Sequence, residues 1–128
     1  SYRGLGQYQL ALDEMQSALH TFQESKDTRR SAAVLGNMGG VYLEMGDKEQ
    51  AYVCYRQAAD AFLEIGEKKM YGETLLAIAR MQFKDGKVWT SATTYEVGLE
   101  NIEKLSMGQK LLKRLFSVKN RLSGTGTN

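Results

Sequence analysis

Proline is absent from the 128 residues, and the chain holds one cysteine, one histidine and one tryptophan. With no proline, no position is barred from a helix interior by a missing amide donor, and abundant Ala, Leu, Met, Gln, Glu and Lys favour helix throughout. An all-α fold is expected. The lone Cys54 excludes an internal disulfide, and no run of Cys and His has the spacing of a zinc site, so neither a metal nor another cofactor is expected. Nucleophile, base and metal chemistry lean on His and Cys. His20 and Cys54 read as a surface imidazole and a packed thiol, and the chain is read as non-enzymatic. Apolar runs are only a few residues long, no basic-then-apolar leader opens the chain, and there is no Asn-x-Ser/Thr acceptor. A chain without a membrane span, in a reducing cytoplasmic compartment, is the expectation. Its first residue is Ser1 rather than Met, as in a processed or excised piece.

What is present is a repeat, and its period is 40. Gly6, Gly46 and Gly86 fall in register, and with them Ala11, Ala51 and Ser91, then Met15, Tyr55 and Tyr95, then Ala18, Ala58 and Gly98, then Phe22, Phe62 and Ile102. Upstream of the glycines, Leu35, Leu75 and Leu115 align, as do Met38, Ile78 and Val118, and Tyr2, Tyr42, Gln82 and Leu122. Leu35, Met38 and Tyr42, like Leu75, Ile78 and Met81, recur at three- and four-residue spacing and form one stripe of a first helix. The glycine supplies a left-handed backbone that ends it, and Asp47 with Gln50 has the pattern of a cap for a second helix. Ala51 and Ala58 let the two helices approach, while Tyr55 and Phe62 fill the space between repeats.

The series Leu35, Asn37-Met38-Gly39, Tyr42, Gly46-Asp47, Ala51, Tyr55 and Ala58 resembles the tetratricopeptide repeat signature, with departures in the third repeat at Gln82 and Ser91. The family's standard repeat is shorter, about 34 residues. The longer period is similar to that of kinesin light chains, spindle-orientation adaptors and bacterial peptide-sensing regulators. The resemblance implies a right-handed superhelical solenoid of antiparallel helix pairs. The expected layout is a partial repeat over 1–27, repeats over 28–67 and 68–106, a capping helix over 107–122 and a flexible tail over 123–128. Lys119 stands where Gly39 and Ala79 would admit a following helix, which is why 107–122 reads as a terminal cap.

In this family an Asn just before the apolar-Gly pair often hydrogen-bonds the backbone of an extended peptide, and Asn37 holds that place. Counting along the same face of the first helices adds Gly40, Glu44, Glu73, Arg80, Lys84, Lys113, Ser117 and Asn120 as candidate contacts, while Ala77 stands where a second amide would strengthen the ladder. For Asn37 the competing reading is a helix-to-helix hydrogen bond; for Arg80 and Lys113 it is an ordinary solvated charge. Gly4-Leu5-Gly6 fails as a dinucleotide loop because Gln9 replaces the third glycine and no strand precedes it. Trp89 reads as inter-repeat packing ahead of a partner anchor.

Charge divides the chain unevenly. Residues 1–103 carry 11 bases and 15 acids, whereas Lys104, Lys110, Lys113, Arg114, Lys119 and Arg121 follow without an acid. Phe116 is the only aromatic there, so no base-stacking platform accompanies the charge and nucleic acid is not expected as partner. The expected function is a protein-protein interaction module that binds a peptide or partner protein on its concave surface. The alternatives are self-assembly into a homo-oligomer through an uncapped N-terminal end, and service as the regulatory part of a larger enzyme or signalling protein.

Overall fold

The computed structural model describes residues 2–126, excluding the side chains of residues 2, 3, 104–106, 109, 113 and 123–126. Five helices follow one another: α1 (Tyr2–Glu24), α2 (Thr28–Met45), α3 (Lys48–Glu64), α4 (Lys68–Lys84) and α5 (Val88–Gly126). Consecutive helices pack on one another, so α2 with α3 and α4 with α5 form antiparallel pairs in a stack.

The turns show why the helices end where they do. A left-handed residue stands every 20 positions, at Lys26 (φ 58°), Gly46 (φ 87°), Gly66 (φ 77°) and Gly86 (φ 82°). At each, the following amide bonds back to a carbonyl five residues earlier: Asp27 to Phe22 at 2.8 Å, and Asp47 to Tyr42, Glu67 to Phe62 and Lys87 to Gln82 at 2.9 Å each. A non-glycine residue in this conformation costs about 1–2 kcal/mol. Lys26 bears that cost beside a strong cap, for the Asp27 carboxylate accepts from the Arg30 amide at 3.1 Å, as Asp47 accepts from Gln50 at 3.2 Å.

The fifth turn of this series does not form. At 106–107 the chain reads Ser-Met in place of Lys26-Asp27 and Gly66-Glu67, so it offers neither a glycine nor a capping carboxylate, and α5 continues to Gly126. The capping helix expected over 107–122 is thus the C-terminal half of α5. Of the expected tail, 123–126 belongs to the same helix, and Thr127 and Asn128 lie outside the described residues. Gly6 likewise stays inside α1 without a positive φ. A glycine permits the left-handed turn without requiring it.

The core is a series of close crossings. Ala32 of α2 meets Ala58 of α3, both fully buried, with Leu35 and Phe62 beside them. Leu12 of α1 joins Met38 and Cys54. α4 then fills the next groove, where Leu75 and Ile78 pack on Ala59 of α3, flanked by Tyr55 and Tyr71. The α4–α5 crossing is tighter still. A Cβ on Gly72 would lie 2.6 Å from the Gly98 carbonyl oxygen, so these helices meet backbone to backbone. Ser91, where the family pattern has alanine, is buried there and its hydroxyl donates to the Ala79 carbonyl at 2.7 Å.

Candidate functional site

The ring of Tyr55, on α3, lies over Gly39 of α2; a Cβ at Gly39 would stand 3.0 Å from its Cγ, so the glycine is what admits the ring. The hydroxyl end reaches Gly40, whose Cβ would be 3.5 Å away. Burial pushes the phenol up from the ordinary tyrosine value; the Arg80 cation opposes this, and Cys54 and Glu44 reinforce it. Of the residues expected on the concave face, Gly40 thus lies beside this hydroxyl, and the charges of Glu44 on α2 and Arg80 on α4 act on it from a distance. That hydroxyl stays protonated at neutral pH, able both to donate and to accept.

Asn37 is exposed one turn before Gly40 on α2 and has no hydrogen-bond partner among the described residues, so the helix-to-helix bond weighed against ligand contact does not form. Glu44, Arg80 and Lys84 are exposed and enter no ion pair among the described residues. The exposed ion pairs run elsewhere, Arg29 to Glu67 at 3.6 Å and Lys48 to Asp85 at 3.5 Å.

The remaining candidates are not brought into this group. Ile102 packs against Gly72 near the start of α4, so the chain beyond 106 runs past the end of α4 instead of returning beside it. Ser117 and Asn120 are exposed on that projecting part, and the Lys113 side chain lies outside the described residues. The face expected from three first helices is made by α2 and α4. Tyr55 is the residue that sequence reasoning assigned to packing alone. Its signal was available, because a half-buried tyrosine needs somewhere for its hydroxyl to go.

Trp89 corrects the expectation of inter-repeat packing, for it is 87% exposed at the start of α5. His20 is exposed, 3.1 Å from the Glu24 carboxylate. Burial first, and then the Asp47 carboxylate, push the Cys54 thiol up, so at neutral pH it is the unreactive thiol. An aromatic disulfide reagent is expected to label native Cys54 only as fast as the chain unfolds. Labelling at the rate of a free cysteine would show instead that α3 opens locally. Among the described residues no cluster of His, Cys, Asp and Glu could hold a metal ion, and no helix is long and apolar enough to cross a membrane.

Helix pairs closed by left-handed turns, each laid into the groove of the pair before, with exposed polar groups along the first helices, define a tetratricopeptide-like scaffold for protein interaction. The family model described as SNAP, soluble NSF attachment protein, matches residues 2–123, and the chain belongs to that family. Its kind is therefore a helical-repeat, protein-binding adaptor built on a non-catalytic scaffold fold. No match to the chain was found among the curated proteins or the solved structures.

Proposed function

We propose that the groove between α2 and α4 receives an extended segment of a partner protein, and that the chain acts as an adaptor without catalysis of its own. The observation that carries this reading is a set of groups on α2, α3 and α4 that make no hydrogen bond or ion pair among the described residues: the Asn37 amide, the Tyr55 hydroxyl, the Glu44 carboxylate and the cations of Arg80 and Lys84. An amide and a hydroxyl suit the backbone of an extended chain, and charges of both signs fix its register. The family's name states attachment to NSF, and NSF is the partner to test first. The turn spacing of 20 supports placing the chain with the 40-residue repeat class of adaptors and peptide-sensing regulators. A free, buried Cys54 suits a reducing compartment such as the cytoplasm.

The test is calorimetric titration of NSF into the wild-type chain, Asn37→Ala and Arg80→Glu. Wild-type binding with affinity lowered at least about tenfold in Arg80→Glu, equivalent to about 1.4 kcal/mol, and lowered less in Asn37→Ala, supports the groove. Circular dichroism should be unchanged, because both side chains are exposed. Equal affinity in all three would move the binding surface off this face.

A further inference from the structure

The first helix α4 lies in the groove left by the pair α2/α3 before it, and the pair α4/α5 leaves the corresponding groove open. Ala79, Phe83, Val88, Ala92 and Tyr95, with Arg80, Lys84 and Ser91, line a trough of about 420 Å³ whose exposed surface is almost wholly apolar. Tyr95 stands 40 residues after Tyr55. Where Tyr55 packs against Leu75 and Ile78 of α4, Tyr95 is 48% exposed.

The residues that fit this trough exist in the same chain. Forty positions beyond Tyr71, Leu75 and Ile78, which pack α4 on α3, stand Leu111, Leu115 and Val118. They share one stripe of α5, and each is more than half exposed. They cannot reach their own groove, because α5 passes unbroken through 106 and carries 107–122 about 24 Å along its axis past the start of α4.

We propose that the groove is filled by residues 107–122 of a second copy, two chains exchanging the C-terminal halves of α5 about a two-fold axis. Two α5 helices laid antiparallel, with Val88 of one beside Leu122 of the other, bring each Leu111–Leu115–Val118 stripe over the partner's Tyr95 in the direction a fourth first helix would run. The axis then crosses midway along this overlap, near position 105, where the missing turn leaves the helix straight. Such an exchange is isologous and closes on itself, so it stops at the dimer. Over the whole chain charge is complementary: residues 107–122 carry five bases and no acid, against 15 acids and 11 bases in residues 1–103.

Sedimentation velocity of the 128-residue chain over a wide concentration range tests the exchange. The expected species is a dimer of 28.6 kDa, twice the 14.3 kDa chain. Leu115→Glu in the arm and Tyr95→Glu in the groove should each give monomer, and mixing the two should restore dimer in part, because the mixed pair keeps one intact arm in one intact groove. The double substitution Ser106→Gly with Met107→Asp supplies the glycine and capping carboxylate that occur together at Gly46-Asp47. It should give a monomer whose arm covers its own groove. A wild-type chain that stays monomeric overturns the proposal. So does a Tyr95→Glu chain that remains dimeric, which would mean that the arms pair with each other, or a monomer that floats with anionic vesicles through the arm.

Discussion

Ile78→Ala is expected to lower the unfolding free energy by about 2–5 kcal/mol, the range for deleting most of a large aliphatic side chain from a packed interior. Ile78 is the one large side chain among the described residues with no exposure at all, and with Leu75 it packs α4 on Ala59 of the preceding pair. Its neighbours there include small residues on rigid helices, which collapse poorly onto a cavity. The consequence is larger than one lost contact suggests. In a stack whose elements touch only their neighbours, α4 is the link between the α2/α3 pair and α5, so a cavity there weakens both couplings. Urea unfolding followed by circular dichroism measures it. A loss under about 1 kcal/mol would show that the groove closes over the gap.

Gly72→Ala should destabilise the chain, although alanine is the better helix former by about 1 kcal/mol. The new Cβ would stand 2.6 Å from the Gly98 carbonyl oxygen and 2.8 Å from Cγ1 of Ile102. The first of these is backbone, which cannot rotate away, so α4 and α5 must separate; overpacking of this kind costs about 1–3 kcal/mol. Gly36→Ala is the control with the opposite sign. Gly36 lies inside α2 with nothing within 4 Å of its Cβ position, so the same substitution should stabilise by up to about 1 kcal/mol. Thermal melts of the two variants should move in opposite directions from wild type. A rise in both would mean that the α4–α5 crossing relaxes without strain.

Much of the fold was legible in the chain. The 40-residue register separated first helices from second helices and located the turns at Gly46 and Gly86, and the cap at Asp47 forms as its spacing with Gln50 implied. The half-period of 20 was hidden because Lys26, a residue with no bias toward a left-handed backbone, does at the first turn what glycine does at the others. Gly72 carried no signal either. Its partner in the earlier repeat is Ala32, and only the distance to Gly98 shows that this crossing closes further. On the candidate face, Asn37, Gly40, Glu44, Arg80 and Lys84 were found by counting. Tyr55 was missed because its ring has a packing role that accounts for the residue by itself.

Local chemistry therefore determined the helices, their polar and apolar stripes, most of the turns and the uneven charge, since each depends on residues within a turn or two of one another. Tertiary structure alone decided that α5 does not break at 106, that Trp89 and Tyr95 stay exposed, and that the Tyr55 hydroxyl comes to lie beside Gly40 of α2. The register is identical whether 107–122 folds back or runs on. The choice rests on the balance between one more helical hydrogen bond per residue and a groove more than a helix away, a balance between distant parts of the chain that no local pattern encodes.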